Sequence, residues 1–182
     1  DLHNESDVEQ KFVIRLLTDL GFNDGQIKTK RDIEELIVGK GRKKEKYKPD
    51  YLIIIKNKPT IIIDAKHPFN DHDLTKFEYQ LSSYSIEVNK KFKNENPLSY
   101  YIITNAHSTS LYKWDEQYPI IELKFTDFIY NNKKFVDFIK IISEIKKFKI
   151  QGSSIELEKL SVSELKKLFI DCHNYIYKAD KM

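Results

Sequence analysis

Pro49-Asp50-Tyr51-Leu52-Ile53-Ile54-Ile55-Lys56-Asn57-Lys58-Pro59-Thr60-Ile61-Ile62-Ile63-Asp64-Ala65-Lys66 is the stretch whose reading decides the fold. Tyr51 to Ile55 and Thr60 to Ile63 are short apolar runs rich in β-branched residues, which predict two buried strands joined by a tight turn around Asn57-Lys58-Pro59. Asp50 enters the first strand and Asp64 leaves the second. Charge at the end of a buried strand has a partner or a task. Two carboxylates offer oxygen ligands to a divalent cation. Lys66, two residues beyond Asp64, points the same way because strand side chains alternate.

Parity tests whether the three groups can meet. Pairing Lys56 with Thr60 sets Leu52 opposite Asp64 and Asp50 opposite Lys66. Pairing Lys56 with Pro59 turns Asp50 to the other side, because a one-residue slip flips every side chain. Convergence therefore requires a three- or five-residue connection, or a bulge or bend at Asp50. A regular two- or four-residue hairpin, paired straight as far as Asp50, counts against it.

Outward from this core, the apolar spacing of Val8, Phe12, Val13, Leu16, Leu17 and Leu20 predicts a helix over 4–20, capped by Asn4 and ended by Gly21. The segment from Lys28 to Lys48 holds nine basic residues against four acidic ones, a surplus of five, and runs straight into Pro49-Asp50. It predicts irregular chain, with a short strand near Leu36–Val38. A basic run leading to a metal-type site suits a polyanion, although a solvated lysine-rich loop has the same composition. Leu74 to about Lys91 predicts a second helix, Leu98 to Thr104 a third buried strand, Ser110 to Trp114 a shorter one, Ile120 to Phe125 an edge strand, and Phe128 to Phe148 a third helix. The order implies an α/β fold, a mixed sheet with helices on both faces. Gln151-Gly152-Ser153-Ser154 breaks the pattern and sets a boundary near residue 150. The stripe Leu160, Leu165, Leu168, Phe169, Cys172 and Ile176 predicts a helical extension over 151–182 that leads to a downstream module.

Bulk properties narrow the class. The chain has 182 residues, 40% hydrophobic and 32% charged, with a net charge of +3. No apolar run approaches a membrane span or a signal peptide. A single cysteine, Cys172, excludes an internal disulfide and suits a reducing, cytoplasmic setting. Gly39-Lys40-Gly41 is not a phosphate loop, so ATP hydrolysis is not expected here. His67, His72 and His107 lack metal-ligand spacing with one another, and Tyr112, Trp114 and Cys172 are packing positions.

With these residues in place, the chain resembles the PD-(D/E)xK nuclease superfamily. Pro49-Asp50 matches the PD element, Asp64-Ala65-Lys66 the (D/E)xK element, and Gln80-Leu81-Ser82-Ser83-Tyr84 the QxxxY element of the helicase-associated subset. The opening Asn4-Glu5-Ser6-Asp7-Val8 and Leu20-Gly21-Phe22 are similar to the first helix of the N-terminal nuclease domain of type I restriction enzyme R subunits. Leu98 to Asn105 with Leu111-Tyr112 is similar to a later strand pair of that domain, with Ala106 where the family usually has glycine. Leu165 to Tyr177 resembles connecting helices of fused restriction–modification enzymes.

The resemblance implies a restriction-endonuclease-like mixed β-sheet flanked by helices, over residues 1–150. It implies an Mg2+-dependent DNA endonuclease, with Mn2+ as a substitute, acting on double-stranded DNA. Motor, specificity or methyltransferase modules would sit in the same chain or complex. Asp50, Asp64 and the Ala65 carbonyl would bind the metal, and Lys66 would steady the attacking water and the phosphate charge. Gln80 and Tyr84 would hold the lysine or the DNA backbone, and a first-helix glutamate, Glu5 by alignment or Glu9 one turn later, would join them. Plainer roles compete: Asp64 and Lys66 as a strand-end ion pair, Gln80 and Tyr84 as ordinary helix positions. A decayed nuclease fold that only binds DNA or assembles, and a stand-alone repair or junction nuclease, are the other readings.

Overall fold

The computed structural model describes residues 2–40, 43–69, 73–93, 95–129 and 131–148. Gly41, His72, Cys172 and the extension expected over 151–182 lie outside them. Six strands form one mixed sheet in the order β1-β4-β5-β6-β7-β8, and β2 and β3 pair separately. The strands are β1 (Ile27–Thr29), β2 (Leu36–Lys40), β3 (Lys43–Tyr47), β4 (Tyr51–Ile55), β5 (Lys58–Ala65), β6 (Tyr100–Thr104), β7 (Ser108–Lys113) and β8 (Ile121–Lys124). Neighbours are antiparallel except β5 and β6, which run parallel. The α/β expectation holds, with helices on both faces of a mixed sheet.

Helix α1 covers residues 5–19, with α-helical ends Glu5–Asp7 and Ile14–Asp19 around a π-helical centre, Val8–Val13. Asn4 caps it by accepting the Asp7 N–H, and Gly21 ends it at φ 76°, where a side chain would strain the backbone. Helix α2 (Glu78–Lys90) follows a 3-10 turn, Leu74–Phe77. Helix α3 (Lys133–Phe148) starts later than its apolar spacing predicts, because Phe125–Asp127 forms a separate 3-10 turn. Phe128 therefore lies ahead of the helix, edge-on to Phe12 at 5.4 Å.

Alternation along the central strands divides the interior in two. Tyr51, Ile53, Ile55, Ile61, Ile63 and Ala65 face α1 and α3, where they meet Val13, Leu17, Phe135 and Phe138. Ile62, Tyr101, Ile103 and Tyr112 face α2 and the β2–β3 hairpin, meeting Leu81, Tyr84, Val88 and Val38. Strands covered on both sides carry unbroken apolar runs, which explains Ile53-Ile54-Ile55 and Ile61-Ile62-Ile63. Each fully buried isoleucine contributes about 1.5–3 kcal/mol. Among the described residues no helix is long and apolar enough to cross a membrane.

The β4–β5 register corrects two expectations. The turn is Lys56-Asn57, with φ 51° and 60°, not Asn57-Lys58-Pro59, and Pro59 lies inside β5. Ile55 pairs with Lys58 and Ile54 with Pro59; then the register shifts, so that Ile53 pairs with Ile61, Leu52 with Ile62 and Tyr51 with Ile63. Thr60 is the extra residue of a β-bulge. Leu52 thus faces Ile62 rather than Asp64, two residues from the expected pairing but on the same parity. A two-residue turn alone would have put Asp50 on the wrong side, and the bulge reverses that.

Candidate active site

The bulge turns Asp50 and Asp64 to the same face, at the end of the sheet where the parallel pair β5–β6 points its carboxyl ends, the usual place for a ligand in an open α/β sheet. Both are almost fully enclosed, at 1% and 2% exposure. Asp50 Oδ2 accepts the Ala65 N–H at 2.8 Å, and Asp50 Oδ1 accepts from Lys30 Nζ at 2.7 Å. Asp64 Oδ2 lies 2.5 Å from Lys66 Nζ, yet among the described residues no donor is aligned on it for a hydrogen bond. That ion pair sets the Lys66 ammonium directly against the oxygen.

Burial pushes the Asp64 carboxyl up to about 7; the Lys66 ammonium pulls it back, and Asp50 adds its repulsion and a hydrogen bond to the protonated form. Burial and the Asp50 charge also raise Glu9. Burial alone would lower the Lys30 ammonium, but the bond to Asp50 and the charges of Asp50, Asp64 and Glu9 outweigh it and leave the pKa raised. Lys66 is held from two sides, by Asp64 and by the Phe77 ring 4.5 Å away.

Helix α1 joins the cluster from the opposite layer. Carboxylate oxygens of Glu5, Glu9 and Asp50 all lie within 4.8 Å of one another. The alternatives Glu5 and Glu9 are therefore both present. The two glutamates bracket the entry to the π-helical turn, where the Ile14 N–H reaches back five residues to the Glu9 carbonyl. Such turns are strained and recur at functional sites.

The hydrogen bonds described for Gln80 and Tyr84 run to the β2–β3 side rather than to Lys66. Gln80 Nε2 donates to Glu45 Oε1 at 2.8 Å, beside Tyr79, whose hydroxyl donates to the same oxygen at 2.7 Å. The Tyr84 hydroxyl donates to the Glu34 carbonyl at 2.8 Å. Gln80 braces β3 against α2, and Tyr84 holds the segment that leads into β2. The β2–β3 hairpin supplies a residue the sequence did not single out. Tyr47 lies edge-on to Tyr84, ring centroids 5.9 Å apart, with its buried hydroxyl beside Asp64. Burial and then the Asp64 charge raise its pKa well above the phenol range. The reach of Tyr84 to the site is thus indirect, through Tyr47. Lys30 was likewise missed, since it is one of nine similar cations in its segment.

The donor set suits a small hard cation. It consists of two enclosed carboxylates with two glutamates beside Asp50, and no sulfur or imidazole among the groups described. His67 and His107 each meet the Phe69 ring, with centroids 6.1 Å apart. No protein-family model matches the chain, and neither a curated protein nor a solved structure does.

Proposed function

We propose that residues 1–150 are an Mg2+-dependent DNA endonuclease domain of a restriction–modification enzyme. It would work in the cytoplasm on double-stranded DNA, with motor, specificity or methyltransferase modules supplying the choice of target. The observation that carries this reading is that the Thr60 bulge sets buried Asp50 and Asp64 beside each other, with Lys66 on Asp64. A fold that needed an ion pair alone would not need two buried acids side by side, each costly to desolvate.

Asp50, Asp64 and the Ala65 carbonyl would hold the Mg2+, with Mn2+ as a substitute. When bound, the ion supplies a water of lowered pKa and neutralises charge on the scissile phosphate. The Ala65 N–H fixes the Asp50 carboxylate in place. Lys66, immobilised by Asp64 and Phe77, presents its ammonium where negative charge develops on the phosphate. Glu5 and Glu9 extend the anionic wall at the mouth. Hydrolysis by water leaves a 5′-phosphate and a 3′-hydroxyl.

Titration calorimetry with Mn2+ tests the site. The wild-type protein should bind the ion and Asp50→Asn should lose it. Binding that survives in Asp50→Asn, or a wild-type protein that takes up no ion, would discard the nuclease assignment.

A further inference from the structure

Two lysines serve the carboxylates, and their settings differ. Lys66 is 12% exposed and gripped by Asp64 and Phe77. The Lys30 side chain is 56% exposed and leaves a short turn in which Asp32 N donates to the Thr29 carbonyl at 2.8 Å. Its partner Asp50 is fixed, because Oδ2 is tied to the Ala65 N–H and the residue is 1% exposed. Oδ1 is the Asp50 oxygen not tied to the backbone, and Lys30 Nζ sits on it at 2.7 Å, beside the carboxylates of Glu5 and Glu9. An ammonium and a divalent cation repel strongly at coordination distance, so Lys30 and an ion compete for this oxygen. The mobile member must yield, and a lysine on a flexible four-carbon stem with a solvated path out is that member.

We propose that Lys30 keeps the seat on Asp50 that a divalent cation takes, and that its displaced ammonium then contacts a DNA phosphate at the mouth of the site. This deepens the nuclease reading and rests on it. The ammonium offsets the repulsion among Asp50, Glu9 and Glu5 before the ion arrives. Afterwards it carries an uncompensated charge beside a polyanion whose backbone attracts lysine. One side chain thereby links metal loading to substrate contact.

The test uses the whole chain, with Lys30→Met and Lys30→Gln as two independent ways to remove the charge and Lys30→Arg to restore it. Calorimetry with Mn2+ in the absence of DNA should show both neutral variants binding about tenfold more tightly, the scale of one lost charged hydrogen bond. Lys30→Arg should return toward wild type. Duplex binding with Ca2+ over a range of salt should weaken in the neutral variants, with the slope of log affinity against log salt smaller by about one. If the wild-type protein binds Mn2+ and the neutral variants bind it no more tightly, the inference is overturned and the nuclease reading stands. A metal effect with an unchanged salt slope overturns the phosphate contact. If no variant binds Mn2+, the nuclease reading fails and takes the inference with it.

Discussion

The two ends of the β4–β5 ladder face opposite problems. At the turn, Lys56 and Asn57 are exposed and take a left-handed backbone that non-glycine residues occupy at a cost. At the far end the ladder has settled into a regular register, and the tension lies in charge: Asp50 and Asp64 are buried side by side against two lysines. Backbone strain in water does no chemistry. Carboxylates held out of water in fixed positions can bind an ion and polarise what it holds. The Thr60 bulge connects the two ends, turning a two-residue turn into the register the buried acids require.

The contrast can be broken first at its charged end. Asp64→Ala should lower Mg2+-dependent nicking of supercoiled plasmid by about a hundredfold to a thousandfold, the usual cost of removing a group that stabilises charge in the transition state. Cleavage by this variant at wild-type rates would remove Asp64 from the site.

The next largest effect is on stability. Because the folded Asp64 carboxyl is raised to about 7 from its ordinary value near 4, the fold binds its proton more tightly than the unfolded chain does. Stability should therefore be greatest below pH 4 as far as this group is concerned. It should fall as pH rises towards 7 and level off above, by on the order of a few kcal/mol. Urea unfolding at pH 5 and pH 8 measures the slope. Asp64→Asn should flatten it and raise stability at pH 8, while abolishing ion binding.

A smaller effect separates bracing from chemistry. Tyr84→Phe removes a hydroxyl bonded to the Glu34 carbonyl and should cost about 1 kcal/mol by urea unfolding. Its Mn2+ affinity should stay within about twofold, since each 1.4 kcal/mol is a factor of ten and Tyr84 reaches the site only through Tyr47. A tenfold loss of affinity would make Tyr84 part of the metal centre. The smallest effect belongs to the turn. Lys56→Asn, better suited to a left-handed position, should gain roughly 0.5 kcal/mol and leave ion binding untouched.

Legibility followed the physics of burial. Strands β4 to β6 were readable because apolar side chains on both faces leave runs of Ile, Leu and Tyr. Asp50, Asp64 and Lys66 stood out as charges against that background. Strand β3 was not readable: Lys43-Lys44-Glu45-Lys46-Tyr47 has one aromatic, and its inward positions are recognised only through Glu45 meeting Tyr79 and Gln80. The three-residue β1 is too short for a period to show. Parity demanded a correction to the hairpin, but nothing in Pro59-Thr60-Ile61 identified Thr60 as the bulge. Tyr47 and Lys30 gained meaning only when the chain brought them to acids seventeen and twenty positions away.

The sheet's margins carry a last consequence. Its outer strands, β1 and β8, span three and four residues, with exposed Lys28 on one and exposed Glu122 and Lys124 on the other. A row of open amides recruits foreign strands, and short rims studded with charge offer too little length to template one. A molecule that displays so much isoleucine inside a six-stranded sheet is thereby guarded against fibre growth and edge-to-edge clumping.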